Sequence, residues 1–127
     1  MEETKLKHLK VAQTIKSLLN GIPELKGNVQ PIVLPANCIV PYAAYVRVDA
    51  KFDEDKDVDF IETECTFEVR VYSDDYSSCV GLYEKIIDTF RACNESGNVD
   101  FTFTLTSSSE GMQNDLLYQS MFYNIKY

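Results

Sequence analysis

Apolar residues near the N-terminus recur at steps of three and four: Leu6, Leu9, Ala12, Ile15, Leu18 and Leu19, with Lys5, Lys7, Lys10 and Lys16 between them. That period lines one side of a helix and leaves the lysines to solvent, so a helix is expected from about residue 3 to Asn20. Asn20-Gly21 offers a left-handed C-terminal cap, and Pro23 bars continuation. The four prolines, Pro23, Pro31, Pro35 and Pro41, all fall between residues 21 and 41. Proline cannot donate to a central ladder, which confines Val29 to Leu34 to a short edge strand. From Val40 the period becomes two, with Val40, Tyr42, Ala44, Val46 and Val48 on one side and Ala43, Tyr45, Arg47 and Asp49 on the other.

Charge interrupts the alternation between Asp49 and Asp59. Like charges repel and little there can be buried, so the stretch reads as a long hairpin loop. Beyond it Cys65, Phe67, Val69 and Val71 point inward against Glu64, Thr66, Glu68 and Arg70 outward, a strand expected to pair antiparallel with the one before the loop. Ser73-Asp74-Asp75 ends it and supplies N-cap candidates for a second helix reaching about Ala92. The core stripe of that helix is read as Val80, Tyr83, Ile87 and Phe90, with Leu82 and Ile86 beside it. Gly81 weakens the helix by roughly 1 kcal/mol relative to alanine. Asn94 to Asn98 reads as a turn. Val99, Phe101, Phe103 and Leu105 alternate with Asp100, Thr102 and Thr104 as a strand, Ser107 to Asp115 as a polar loop, and Met121, Tyr123, Ile125 and Tyr127 as a last strand. The order α-β-β-β-α-β-β predicts an α+β fold, an antiparallel sheet with two helices packed on one face, as a single domain over residues 1–127.

At 127 residues and 45% apolar composition the chain suits one globular core. Its net charge of −8 repels phosphate backbones and anionic lipid alike. The same charge suits a basic protein partner, or a pore wall that nucleic acid passes without adhering. Cys38, Cys65, Cys79 and Cys93 contain no C-x-x-C pair and are read as small buried hydrophobes. The opening Met1-Glu2-Glu3-Thr4-Lys5 lacks a signal-peptide core, and no run approaches the roughly 20 apolar residues of a membrane span. A reducing cytoplasm and no membrane are therefore expected. Asn94-Glu95-Ser96 matches a glycosylation acceptor, read as chance without a secretion signal.

Catalytic options are few. His8 is the one histidine, set among lysines, and nothing beside it marks an activated serine or cysteine. Asp74 with Asp75 is explained by helix capping. Counting Asp53 as first, Asp55, Asp57 and Glu64 fall at the third, fifth and twelfth positions of a calcium loop, but Val58 stands where that loop needs glycine and the flanks read as strands. No glycine-rich phosphate cradle is present. Tyr42, Tyr45, Tyr72, Tyr118, Tyr123 and Tyr127 suit core or subunit contacts better than base stacking, given the charge. The expectation is a protein that binds proteins, with no catalytic, cofactor or metal site.

Three stretches carry a family likeness: Val40-Pro41-Tyr42-Ala43-Ala44-Tyr45-Val46, the strand-to-helix step Phe67-Glu-Val-Arg-Val-Tyr72-Ser-Asp-Asp-Tyr76, and the aromatic-rich end Leu117 to Tyr127. With the N-terminal helix, they resemble the tail-completion (tail-terminator) proteins of tailed phages over about residues 8 to 127. The resemblance implies a ring, six subunits in the family, that caps the head-proximal end of the tail tube, ends its polymerisation and offers a head-joining surface. Implied partners are the chain itself, the tube protein and the head connector, with DNA only passing through the lumen. Implied places are the bacterial cytoplasm during assembly and the neck of the mature virion. The acidic loop is longer than the family's, and Asp53, Glu54, Asp55, Asp57 and Asp59 with Tyr45, Tyr72 and Tyr127 are the candidates for a partner or lumen interface. The alternative is a small acidic protein-binding domain of immunity or antitoxin type. A small α+β enzyme would need a pocket of convergent polar groups.

Overall fold

In chain order the elements are α1 (His8–Asn20), β1 (Val29–Pro31), β2 (Tyr42–Glu54), β3 (Phe60–Ser73), α2 (Tyr76–Ser96), β4 (Thr102–Gln113) and β5 (Leu116–Lys126), with a 3-10 turn, Pro23–Leu25, after α1. The structure, a computed structural model, describes residues 8–31, 39–54 and 60–127, with 53, 54, 60 and 61 described by backbone alone. The strands form one five-stranded sheet in the order β1-β2-β3-β5-β4. Every pair is antiparallel except β1 with β2, where Val29 lies opposite Ala43. This is the expected α+β order. Among the described residues no helix is long and apolar enough to cross a membrane.

Both helices lie on one face of the sheet. Val11, Ile15 and Leu19 of α1 and Cys79, Leu82, Ile86 and Phe90 of α2 pack there against Ala43, Phe67, Val69, Met121 and Ile125. Phe90 is the centre of an aromatic cluster, stacked on Tyr123 at 4.6 Å between centroids and edge-on to Phe103 at 4.8 Å. Burying such side chains contributes about 1.5–3 kcal/mol each. The stripe of α2 lies one position from the expected one. Cys79, a small apolar group, leads it, while Tyr83 and Ile87 sit at its margin.

Four local expectations give way to tertiary pairing. Gly21 does not take a left-handed cap; its N–H bonds to the carbonyls of Ser17 and Leu18 at 3.1 and 3.2 Å. The left-handed glycine is Gly27, φ 83, after the turn, and Asn20 Oδ1 accepts its N–H at 3.2 Å. Helix α2 runs past Ala92 because the Asn94 amide binds both N–H and C=O of Phe103 at 2.8 Å, so the helix ends at Gly97, φ 70.

The acidic stretch is strand as far as Glu54, held by pairing with β3, and only 55–59 fall outside the described residues. Within it the register shifts between Arg47 and Asp49, so those two residues oppose Phe67 and Thr66 and no longer share a face. Last, the polar run Ser107 to Gln113 is strand, not loop. It needs no apolar alternation at the sheet border, and Asn114 and Asp115, φ 53 and 65, close a two-residue hairpin to β5. Cys65 and Cys79 are buried free thiols and Cys93 is half-buried, while Cys38 lies outside the described residues. Burial pushes the Cys65 thiol up to about 11.

Candidate assembly surface

Strand alternation sends the other half of the side chains to the face that the helices leave uncovered. Tyr42, Tyr72, Tyr118 and Gly111 are successive cross-strand partners and form one row there. The three rings tilt against each other at 6.2 and 5.8 Å between centroids, and among the described residues Tyr42 and Tyr72 are buried by neighbouring strands rather than by a helix. Gly111 makes the row possible: a Cβ there would lie 2.7 Å from the Tyr118 hydroxyl oxygen and 2.9 Å from Cζ.

The next rows hold a charged network. Arg70 Nε donates to Glu68 Oε2 at 2.5 Å, and Ser120 Oγ donates to the same oxygen at 2.7 Å. Arg70 Nη1 and the Tyr72 hydroxyl both donate to Gln113 Oε1, at 3.2 and 2.9 Å. The guanidinium carbon lies 4.5 Å from the Tyr118 centroid, in cation–π range. Burial works against the charge on Arg70, but its bonds to Glu68 and Tyr72 outweigh that and raise its pKa further. A cavity of about 130 Å³ opens among Ala44, Val46, Glu68, Arg70, Tyr72 and Gln113. A fixed guanidinium among tyrosines has the composition enriched at protein interfaces, where Tyr and Arg are common anchors.

A second polar cluster lies on the helix side. A register shift between Lys51 and Phe52 places Glu62 opposite Phe52 and turns its side chain inward, where it is fully buried. His8 Nδ1 donates to Glu62 Oε2 at 2.6 Å, and the Arg47 guanidinium is 3.5 Å from the same ring nitrogen. Burial pushes the Glu62 carboxyl up, yet His8 and Tyr127 outweigh it and hold its pKa below the ordinary value. Glu62 Oε1 is buried with no hydrogen bond of its own among the described residues. The Tyr127 hydroxyl donates to Cys65 Sγ at 3.1 Å.

The structure separates the sequence candidates. Tyr72 belongs to the uncovered face, Tyr45 is buried on the helix side, and Tyr127 sits beside Cys65 at the far end of the sheet. Asp53 and Glu54 continue the β2 backbone, while Asp55, Asp57 and Asp59 lie outside the described residues. Asp75 is the N-cap of α2, accepting the Ser78 N–H at 2.9 Å, and Asp74 is exposed. Glu64 lies in β3 and binds Asn124 Nδ2 at 2.9 Å and Lys51 Nζ at 3.6 Å. Among the described residues no three His, Cys, Asp or Glu side chains gather as a metal site would need. Sequence reasoning missed Gly111, Gln113 and Glu62. Gly111 and Gln113 fell in a segment read as loop, and only the bulge turns Glu62 inward.

The chain matches no protein-family model and no curated protein sequence. Among solved structures it is similar to a chain of the virion of a native gene transfer agent particle, at 12% identity and a TM-score of 0.49, over 94% of this chain and 88% of that one. At that identity and superposition the likeness assigns neither a family nor a role.

Proposed function

We propose that the chain is a non-enzymatic structural protein of a phage or phage-like tail, a ring-forming cap that ends polymerisation of the tail tube and offers the head-joining surface. The observation that carries this reading is the uncovered sheet face, where Arg70, Glu68, Gln113 and three tyrosines are held in place by one another. Such preorganisation costs little ordering entropy on association and suits a protein that acts through contacts. The motifs from Val40 to Val46 and from Phe67 to Tyr76 add the resemblance to tail-completion proteins. The net charge of −8 suits a lumen that DNA passes.

Sequencing the DNA that flanks this reading frame, and polymerising the tail-tube protein expected there with and without the chain, tests the reading by negative-stain imaging and light scattering. Short tubes with a ring at one end are expected. A monomer that leaves tube length unchanged and binds one basic protein in a defined complex would overturn it, in favour of an immunity-type partner. Changing Asp53, Glu54, Asp55, Asp57 and Asp59 to Asn or Gln asks whether this acidic stretch takes part. Capping is expected to weaken while circular dichroism stays that of the folded chain, and unimpaired capping removes these acids from the interface.

A further inference from the structure

We infer that the free chain pairs with a second copy of itself, β4 against β4 and antiparallel, about a twofold axis at Ser109. A ring built on one rotation axis holds no such twofold, so the inference concerns the chain before assembly and stands apart from the capping reading.

Strand β4 borders the sheet along all 12 of its residues, and all but Phe103 and Gly111 are exposed. It carries no lysine, arginine or proline. Its one charge, Glu110, is engaged by the Tyr76 hydroxyl at 3.0 Å and by Gln119 Nε2 at 2.8 Å. Long borders are ordinarily guarded by charge or proline, because their unpaired N–H and C=O groups recruit another strand.

Asn94, near the end of α2, occupies the first part of this border. Its side-chain amide accepts the Phe103 N–H and donates to the Phe103 carbonyl, both at 2.8 Å, as a neighbouring strand would. The main-chain groups of Phe103 therefore point away from β5, and those of residues on the same face of β4 point with them. These residues are Leu105 and, past the irregularity at Thr106, Ser108, Glu110 and Met112. Their face is the helix side, where the Tyr83 hydroxyl donates to Ser108 Oγ at 3.0 Å and Tyr76 reaches Glu110. Asn94 thus closes the border at Phe103 and leaves it open from Leu105 onward.

The open part is self-complementary. Leu105, 37% exposed, and Met112, 66% exposed, are the large exposed apolar residues of β4. They lie opposite Tyr123 and Leu117, three ladder pairs to either side of Ser109 opposite Ser120. A second copy turned about Ser109 sets Leu105 of each chain opposite Met112 of the other, and Ser108 opposite Glu110. Outward main-chain groups then meet outward main-chain groups throughout, and no like charges face each other. An axis at Ser108 would instead set Met112 against Phe103, where Asn94 stands. An axis at Glu110 would carry Leu105 past the end of the strand at Gln113. A strand from another protein would need no such symmetry.

Directly opposite residues whose main-chain groups point away from each other lie about 4.5 Å apart between Cα atoms, within the span of a disulfide. In a chain carrying Cys38→Ser and Cys93→Ser, adding Ser109→Cys is expected to give a covalent dimer on mild oxidation. Adding Thr104→Cys instead, opposite Gln113 in this register, should give none. Sedimentation of the unmodified chain over a concentration series should shift from one copy to two. Met112→Glu should remove that shift with circular dichroism unchanged, and adding Leu105→Lys should restore it. A chain that stays monomeric at every concentration overturns the inference, as does crosslinking through Thr104→Cys as ready as through Ser109→Cys. Protection of the β4 amides from hydrogen exchange only when the tube protein is added also overturns it, giving the border to a strand of that partner.

Discussion

On the helix side of the sheet Phe67, Val69 and Met121 are buried by α1 and α2, whereas on the other side Tyr42 and Tyr72 are buried mainly by each other and by Tyr118. The first arrangement needs a further layer of chain, the two helices, and is the hydrophobic core in the ordinary sense. The second needs only neighbouring strands and keeps polar tips, a guanidinium and a small cavity at the surface. One face spends its apolar area on folding. The other is organised while still accessible, which is what a contact surface requires.

That contrast breaks most decisively on the helix side. Phe90→Ala removes the ring at the centre of the aromatic cluster and is expected to cost about 4 kcal/mol in denaturant unfolding. A cost of ~1 kcal/mol would mean that the helices do not carry the core. His8→Ala comes next. It strips the buried Glu62 of its donor, and about 2 kcal/mol is expected, below the range for a fully enclosed pair because His8 reaches solvent.

The pH dependence of that loss sharpens the point. Glu62 titrates below the ordinary 4.5 in the folded chain, so its contribution is complete above that pH and disappears as pH falls through the lowered value. The cost of His8→Ala, followed by unfolding between pH 7 and 3, should therefore shrink on acidification as the carboxyl takes up its proton. A cost that grows instead would break the assignment.

On the uncovered face the ranking of effects reverses. Gly111→Ala forces Tyr118 aside and is expected to cost about 1 kcal/mol in stability. Its effect on capping should be larger than its effect on unfolding, since it also displaces the ring beneath Arg70. Equal capping by this variant would remove the tyrosine row from the interface. The smallest effect belongs to neither face: Asp75→Ala deprives Ser78 of its N-cap acceptor and should lower the melting temperature slightly, with capping unchanged. The Asp75 carboxyl is held below its ordinary value by its bonds to Ser78, so this small difference should also vanish in acid.

What the sequence determined by itself was what short-range physics decides: the order of helices and strands, the inward set Cys65, Phe67, Val69 and Val71, the border position of the proline-bearing strand, and the capping role of the Asp74-Asp75 step. Each rests on a period or a backbone preference spanning a few residues. The candidate surface was legible only in part. Tyr72 and Tyr118 were visible as interface-suited residues, but Tyr45 looked the same from sequence and is buried on the opposite face. Which face the helices would cover was decided by packing. Ser107 to Gln113 became strand through hydrogen bonds to β5, with no pattern of its own to announce it. Glu62 turned inward because two strands with unequal residue counts had to share a ladder. Such outcomes belong to pairings between segments far apart in the chain, and only the tertiary structure, which brings those segments together, could decide them.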